Sequence, residues 1–257
     1  MPDAREGAVF GDDYLDFYAS ELHEGVNDDE AAMVALLTQL APGERVLDLP
    51  CGHGRIAERL AARGADVVGV DRCELFLERA RASATQRGVA VDYQPGDWSA
   101  LAFANEFDVL ISWFTSFGYS DGHDGAEDTA LRAQLQQMLR ALKRGGRVLI
   151  ETLNLHAAAL TDHETSAVKS TEDAAGRHFM IDRSRFDPNT GHLHVRRAVV
   201  REGEGARESS YSLRLFSAPE LRGWLREAGF EDVQTYGADG EVFRVDSDRL
   251  ITVARRG

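Results

Sequence analysis

The feature that most constrains this sequence is an apolar run that ends in a glycine-rich loop, VLDLPCGHGRIA at residues 46–57. Its first half predicts a short buried strand at 45–49, and its second half begins a helix predicted over 54–63. Between them, Gly52 and Gly54 let the backbone approach a ligand closely. The helix N-terminus offers unpaired N–H groups to an anion. The segment therefore predicts a strand–loop–helix unit that binds a ligand with an anionic group.

The alternation of strand and helix continues along the chain. Further apolar strands are predicted at 66–70, 89–93, 107–112 and 147–153, and helices at 28–40 (with Asp28 as the N-cap), 73–87 and 126–143. Apolar strands separated by helices indicate a doubly wound parallel sheet that is covered on both faces. The chain closes with a predicted helix at 217–230 and two strands, 231–237 and 249–255, that are joined by a loop. We therefore expect an antiparallel last strand.

The N-terminal residues 1–27 form a segment of their own. Tyr14, Phe17 and Tyr18 at helical spacing predict a short amphipathic helix over 12–22. We expect this helix to fold over the core as a lid.

An antiparallel insert interrupts the core after the fifth predicted strand. Turn signals at FDPNTGH (186–192) and EGEGARE (202–208) divide residues 178–216 into three strands. The sequence thus predicts one α/β domain in which a Rossmann-like doubly wound core, 28–155 and 217–257, carries this insert.

Acidic residues follow two of the predicted strands. Asp71 lies 19 positions after Gly52, a spacing that places its carboxylate beside the glycine loop, where it can accept hydrogen bonds from both hydroxyls of a ribose. Asp97 follows the third strand at the same edge, where it could accept from an adenine amino group while Trp98 walls the base. The glycine loop alone also fits a dinucleotide fingerprint, so NAD stays open at this point.

Composition narrows the function classes. The chain has 29 basic and 43 acidic residues, and its net charge is −14. A field of that sign repels phosphate backbones and anionic lipid, which argues against nucleic acid or a membrane as partner. No stretch approaches the ~18 apolar residues of a membrane span, and two cysteines are too few for a disulfide framework. We expect a cytoplasmic protein.

The motifs along the core resemble those of class I S-adenosylmethionine-dependent methyltransferases. In the order and spacing of that family they are VLDLPCGHG, VGVD ending at Asp71, GDW at 96–98, FDVLISWFTSFGY at 107–119 and LKRGGRVLIET at 142–152. Pro50 stands where the family usually has Gly. The resemblance implies the doubly wound fold, S-adenosylmethionine as the cofactor and S-adenosylhomocysteine as its product.

The resemblance also implies cofactor-binding residues at the carboxyl ends of the first four strands and on the lid: Tyr18, Asp48, Cys51, Gly52, Gly54, Asp71, Arg72, Asp97, Trp98, Ser112 and Trp113. The glycine loop would line the methionine portion, Asp71 would bind the ribose diol, and Asp97 and Trp98 would hold the adenine. Ser112 and Trp113 would lie near the sulfonium. Asp48 could instead only brace the loop.

Candidate residues for the acceptor site lie above the fourth and fifth strands and on the lid. Tyr14, Phe117 and His156 are the catalytic candidates, and further candidates are His23, Phe114, Tyr119, His123 and Asn154. The reaction would be an in-line displacement in which positioning supplies much of the rate. An amine needs only its neutral form, whereas an oxygen or carbon acceptor usually needs a base. No set of metal ligands presents itself.

Within the family, the sequence resembles bacterial small-molecule methyltransferases of antibiotic pathways, including aminosugar N,N-dimethyltransferases and lincosamide-type N-methyltransferases. These share a Phe/Ser-rich segment that ends in Gly-Tyr, here WFTSFGY at 113–119, and an antiparallel insert that could cover the acceptor or form a homo-oligomer interface. The leading hypothesis is methyl transfer to an amine nitrogen of a small secondary metabolite. The alternatives are an O- or C-methyltransferase, an NAD-dependent oxidoreductase and a noncatalytic cofactor-binding scaffold.

Overall fold

The computed structural model of the protein describes residues 11–98, 101–120, 127–159 and 164–257. The helices are α1 (Asp12–Tyr18), α2 (Glu24–Thr38), α3 (Ala57–Ala62), α4 (Glu74–Arg87), α5 (Glu127–Ala141), α6 (Leu155–Ala159) and α7 (Ala218–Ala228). The strands are β1 (Arg45–Asp48), β2 (Asp66–Asp71), β3 (Asp92–Pro95), β4 (Phe107–Ser112), β5 (Tyr119–Ser120), β6 (Leu142–Leu153), β7 (Glu164–Asp173), β8 (Gly176–Asp187), β9 (His192–Val200), β10 (Arg207–Arg214), β11 (Phe230–Tyr236) and β12 (Arg249–Arg256).

Seven of the described strands form the central sheet, in the order β11-β12-β6-β4-β1-β2-β3. Strands β1, β2, β3, β4 and β6 pair in parallel, while β12 lies between β6 and β11 and is antiparallel to both. The expected Rossmann-like sheet with an antiparallel last strand is confirmed. Because the parallel strands run the same way, their carboxyl ends meet at one edge, and the loops that follow them lie together there.

Both faces of this sheet are buried under helices. In β1, Val46 packs with α2, α3 and α4, while the next residue, Leu47, packs on the opposite face with α5 and α7. Adjacent residues of a strand point to opposite faces, so a strand that is covered on both sides is apolar throughout. This explains why β1, β2 and β4 could be predicted from short apolar runs. Strand β3, which is not apolar throughout, lies at Asp92–Pro95 rather than at the predicted 89–93.

The start of helix α2 differs from the prediction. Helix α2 begins at Glu24 rather than at residue 28, and the ring nitrogen of His23, not the predicted Asp28, accepts from the Val26 N–H at the N-cap. Asp28 instead accepts a hydrogen bond from Arg59. Asp28 was predicted as the cap because Asp is a common N-cap residue. It lies instead in the second turn of a helix that begins at Glu24.

The insert contains more strands than predicted. It is a sheet of five described strands in the order β5-β10-β9-β8-β7, and its β8–β9 and β9–β10 hairpins turn where the two turn signals predicted. The prediction of three strands missed β7, which begins at Glu164 and is exposed along nearly its whole length. A strand without an apolar face carries no alternating pattern in its sequence. Two-residue strand β5, in the loop after β4, joins the insert to the core.

Helix α1 packs on the insert rather than on the central sheet. Its one fully buried side chain within the described residues, Phe17, lies against Met180 of β8 and Val199 of β9. The helix ends at Tyr18, shorter than the predicted 12–22, and residues 1–10 of the predicted lid lie outside the described residues. The described helices include none that is long and apolar enough to cross a membrane.

Candidate active site

A cavity of about 1890 Å³ lies at the carboxyl edge of the central sheet. The loops after β1, β2, β3 and β4 form one side of it, strands β8, β9 and β10 of the insert form the opposite side, and α1 contributes Tyr14 and Tyr18 between them. In a doubly wound fold this edge is where ligands bind. The cavity therefore has a core side and an insert side, which we describe in turn.

The glycine loop and Asp71 are joined through backbone hydrogen bonds on the core side. The Gly52 N–H donates to Oδ2 of Asp71 at 2.8 Å, and the Cys73 N–H donates to Oδ1 at 2.8 Å. Asp71 is buried, and burial raises the pKa of its carboxyl while these N–H groups oppose the rise. A Cβ built on Gly52 would meet nothing within 4 Å, so the backbone is open to a ligand there.

Gly54 serves the packing of the loop and does not line the cavity. It has a φ of +83°, and a Cβ on it would lie 2.2 Å from the Tyr93 Oη and 2.9 Å from the Ala80 Cβ. A side chain at this position has neither the backbone conformation nor the space. Gly54 thus holds the loop down on β3 and α4, while Gly52 faces the ligand space.

Two titratable side chains near the end of β1, the carboxyl of Asp48 and the thiol of Cys51, are buried rather than exposed to solvent. Asp48 is buried at the cavity wall, and burial raises its pKa to about 8, opposed mainly by the nearby charge of Arg55. Cys51 also lines the cavity, and burial raises the pKa of its thiol. A thiol that is held protonated is a poor nucleophile.

Residues predicted to surround a nucleoside converge at the same end of the cavity. Arg72, Asp97 and Trp98 all line it, next to the end of β2 and β3. Trp113, at the end of β4, lines it as well and is buried. The positions fit a ribose and a base lying across the carboxyl ends of β2 and β3.

The two lid tyrosines face the cavity. The rings of Tyr14 and Tyr18 stack with centroids 4.7 Å apart, and Tyr14 also contacts Phe76 of α4 at 5.6 Å. Burial raises the pKa of the Tyr14 phenol. The helix thus connects the core side and the insert side over the cavity.

The insert side is lined by apolar residues with a buried cation behind them. Leu193, Val195 and Leu213 face the cavity together with Tyr211. Arg197 is buried, and its guanidinium donates to both carboxylate oxygens of Asp182 at 2.8 and 2.7 Å and to the phenol oxygens of Tyr18 and Tyr211 at 3.3 Å each. Fixed ion pairs therefore set the position of this wall.

Some predicted site residues lie elsewhere. Phe117 is fully buried in the core, stacked on Phe216 at 5.4 Å, and does not line the cavity. His156 belongs to the short helix α6 and is also absent from the lining, as is the fully buried Ser112. Asn154 donates to the carbonyl oxygens of Val245 and Ser247, which makes it a structural bridge. His123 lies outside the described residues.

The cavity is also lined by residues outside the predicted cofactor-binding and catalytic sets. Phe114 and Tyr119, named as further candidates, do line it, and so do His53 and Arg55 from the glycine loop itself. Burial and the adjacent Arg55 lower the pKa of His53 to about 4. The sequence signal that could have found Arg55 is its place directly after Gly54 of the glycine loop. Its partner Glu30 lies in a helix that shows no such signal.

The comparison with known families covers the core side. Residues 46–146 match the family described as "Methyltransferase domain". A ubiquinone biosynthesis O-methyltransferase from Roseobacter denitrificans is 45% identical over 71 residues, which are 27% of this chain and 29% of that protein. The chain spans about a third of the length of the curated relatives that it matches.

Solved structures extend the likeness to the whole described fold. The CcbJ methyltransferase from Streptomyces caelestis superposes with a TM-score of 0.73 and 25% identity, over 90% of this chain and 95% of that one. The S-adenosylmethionine-bound amino pentose methyltransferase CalS10 from Micromonospora echinaspora, involved in calicheamicin biosynthesis, gives a TM-score of 0.64 at 23% identity, over 89% and 91%. Residues 46–146 thus resemble a methyltransferase domain, and the described fold is the Rossmann-like methyltransferase fold.

Proposed function

We propose that this chain, whose residues 46–146 match a methyltransferase domain, transfers a methyl group from S-adenosylmethionine to a small-molecule acceptor. The observation that carries the proposal is the joint geometry of Gly52 and Asp71. The loop leaves open space at Gly52 while the carboxylate that it anchors lies at the cavity wall. This is the arrangement that a ribose-bearing ligand with a charged tail requires.

The residues present fit this cofactor. Asp71 would accept from the ribose hydroxyls, Asp97 and Trp98 would hold the adenine, and the loop at Cys51 and Gly52 would border the methionine portion, since all five line the cavity. When bound, S-adenosylmethionine supplies an activated methyl group whose leaving group is a neutral thioether. The protein consequently needs to orient two reactants more than it needs to supply an acid.

The insert side would bind the acceptor. Its aliphatic and aromatic lining, with Leu193, Val195 and Tyr211, is suited to a ligand that is largely apolar. Helix α1 closes over it, held by Asp13, which pairs with Arg201 and Arg207 at 2.8 Å each. We expect this cover to exclude water and to hold the acceptor in line with the methyl group, which is the main source of rate in such a transfer.

For the acceptor atom we propose an amine nitrogen. Among the described residues that line the cavity, the one imidazole is His53, whose lowered pKa of about 4 makes it a weak base. Burial raises the pKa of the phenols of Tyr14 and Tyr211, so both stay protonated. A neutral amine needs no base to attack. The net charge of −14 attracts the protonated amine to the protein, and this amine releases its proton to solvent before its nitrogen attacks.

An oxygen acceptor is the second candidate. It is favoured by the identity to ubiquinone biosynthesis O-methyltransferases, although that match covers 27% of this chain. An oxygen acceptor would require a base, and Asp48, with a pKa of about 8, or His53 would have to serve. Methylation of a panel of amines and phenols with labelled S-adenosylmethionine separates the two, since an N-methyltransferase should label amines and leave phenols untouched.

The place of the insert in an assembly belongs to the same proposal. While the inner face of the insert lines the cavity, its outer face leaves Val168 and Phe179 exposed. This face is where a homo-oligomer interface would form.

The amine of the acceptor would be that of a secondary metabolite, as in the antibiotic-pathway enzymes that the sequence resembles.

The first test is calorimetric titration with S-adenosylhomocysteine, with NAD in parallel. We expect micromolar binding of S-adenosylhomocysteine and none of NAD. Asp71→Ala should weaken that binding about 100-fold, because it removes the ribose acceptor and leaves the Gly52 and Cys73 N–H groups without their carboxylate.

Asp66→Ala is the matched control. Asp66 lies on the same strand, and its side chain is 70% exposed and forms a surface ion pair with Arg45 at 3.6 Å, so the affinity should not change. Binding of NAD in preference, or no binding of S-adenosylhomocysteine to the unaltered protein, would overturn the proposed function.

A further inference from the structure

The segment that follows β4, residues 113–116, has an unusual backbone. Phe114 has a φ of +62° and Thr115 a φ of +58°, so two consecutive residues with side chains adopt the left-handed conformation. For a β-branched residue such as Thr this conformation is a genuine outlier. Such a backbone persists only where its surroundings enforce it. The question is therefore what holds this segment.

A buried carboxylate, that of Glu151, accepts a hydrogen bond from the backbone of segment 113–116. Glu151, on β6, is fully buried, and its Oε2 accepts a hydrogen bond from the Thr115 N–H at 2.6 Å. Burial raises the pKa of Glu151, while the charge of Arg249 and the Thr115 N–H oppose the rise. A carboxylate is costly to bury. The hydrogen bond of this one to the segment is accepted from Thr115, the β-branched residue with a positive φ.

Two arginines lie against the ring of Phe114. The guanidinium of Arg55 lies 4.8 Å from the ring centroid and that of Arg249 lies 5.5 Å from it. Both arginines pair with one carboxylate, that of Glu30. Glu30 also accepts from the Trp113 indole N–H at 2.9 Å. The segment is thus fixed at Trp113, at Phe114 and at Thr115 by groups from four different elements.

The segment lies at the boundary between the two sides of the cavity. All of residues 113–116 line it. Phe114 contacts Arg55 of the glycine loop on one side and the edge of the Tyr18 ring of the lid, at 6.4 Å, on another. If the cofactor occupies the core side and the acceptor the insert side, the methyl group is transferred across this boundary.

We propose that Glu151 is a positioning residue for methyl transfer: its carboxylate holds Phe114 and Thr115 in the left-handed conformation and so places the segment 113–116 beside the reacting methyl group. The inference rests on the proposed function. Glu151 touches neither reactant; it acts through the Thr115 N–H. Loss of the carboxylate should let the segment relax to an ordinary backbone and move its side chains away from the methyl position.

The variants separate positioning from simple support of the fold. Glu151→Gln keeps an oxygen that can accept from Thr115, whereas Glu151→Leu removes it. The double variant Glu151→Leu/Thr115→Gly replaces the strained residue by glycine, which adopts a positive φ without penalty. It should recover thermal stability without restoring the hold on the segment. Thr152→Val, at the next and equally buried position of β6, is the matched control, since its hydroxyl has no hydrogen-bond partner among the described residues.

The readout is the ratio of affinities for two cofactor analogues, measured by calorimetry beside the melting temperature. S-adenosylhomocysteine lacks the methyl group, while sinefungin carries an amine-bearing carbon in the place of the methylated sulfur. Glu151→Leu should weaken sinefungin at least tenfold and S-adenosylhomocysteine less than threefold. Glu151→Gln and Thr152→Val should stay within threefold for both, and the double variant should regain the melting temperature but not the sinefungin affinity.

Two results would overturn the positioning role while leaving the proposed function intact. One is an unchanged ratio of affinities in Glu151→Leu. The other is a sinefungin affinity that returns with the melting temperature in the double variant, as expected of mere structural support. Failure of the unaltered protein to bind either analogue would instead overturn the proposed function, on which the inference rests.

Discussion

The two sides of the cavity are built in different ways. On the core side, the carboxylate proposed to bind the ribose, that of Asp71, is held by the backbone N–H groups of Gly52 and Cys73. On the insert side, the wall is held by side-chain ion pairs between neighbouring elements. Arg197 pairs with Asp182, and Arg201 of the loop after β9 pairs with Asp13 of the lid.

The difference teaches which part of such a site follows from the fold alone. Backbone groups at strand ends keep their positions whatever the side chains are, so the core side needs few particular residues. A wall made from ion pairs and aliphatic side chains depends on each of its partners. We therefore expect the core side to be sensitive to backbone conformation and the insert side to be sensitive to side-chain pairing.

The largest expected effect tests the core side at its tightest point. Gly54→Ala would place a Cβ 2.2 Å from the Tyr93 Oη in a residue with a φ of +83°. Overpacking and backbone strain add, and we expect the free energy of unfolding to fall by about 4 kcal/mol. Urea denaturation measures it.

Gly52→Ala is the natural control for this change. Gly52 also has a positive φ, +54°, but a Cβ there meets nothing within 4 Å, so only the strain remains, at about 1 kcal/mol. Equal losses in the two variants would show that the backbone conformation, and not the close approach to β3, limits the loop.

The next effect tests the insert side. Arg197→Met would leave the carboxylate of Asp182, 14% exposed at its side chain, without its partner. We expect the free energy of unfolding to fall by about 3 kcal/mol and the affinity for S-adenosylhomocysteine to stay the same. Thermal or urea denaturation beside calorimetry checks both.

The exposed pair Arg177–Glu172, 64% and 67% exposed, lies in the same sheet and provides the comparison. Arg177→Met should change stability by less than about 0.5 kcal/mol. A loss of S-adenosylhomocysteine affinity in Arg197→Met would contradict the division of the cavity, because it would show that the insert wall helps to hold the cofactor.

The same division explains how much of the molecule could be predicted from its sequence. Most core strands could be predicted because they are apolar runs. The spacing from Gly52 to Asp71 predicted that both lie at one edge of the sheet, and the 2.8 Å hydrogen bond between them agrees with this. By contrast, β7 is exposed on both faces and carries no periodic signal. Pattern follows burial, so an exposed strand is invisible to it.

The network behind the site was beyond prediction for another reason. Glu30 and Arg249 are 219 positions apart in sequence, and their pairing depends on the insertion of β12 beside β6. A lone Glu in a helix and a lone Arg at a strand end are ordinary surface residues by pattern alone. Phe117 shows the converse, since its aromatic ring suggested the acceptor site but packs in the core.

The smallest of the expected effects concerns the electrostatics of the core side. Burial and nearby Arg55 lower the pKa of His53 from its ordinary value near 6.5 to about 4. Between those values the unfolded chain binds a proton at this residue and the folded protein does not, so the free energy of unfolding falls as the pH falls from 6.5 towards 4. Because His53 is only partly buried, we expect the loss to be about 2 kcal/mol.

Comparison of the unaltered protein with His53→Gln isolates this contribution. Between pH 7 and pH 4.5, the free energy of unfolding should fall less in the variant than in the unaltered protein, by about 2 kcal/mol. In the unaltered protein, the His53 ring signal should titrate near pH 4 by NMR. Stability curves of the two proteins that run parallel, together with a His53 titration midpoint near pH 6.5, would contradict the prediction. They would also give the cavity an imidazole able to act as a base near neutral pH, and the balance between the amine and the oxygen acceptor would move towards oxygen.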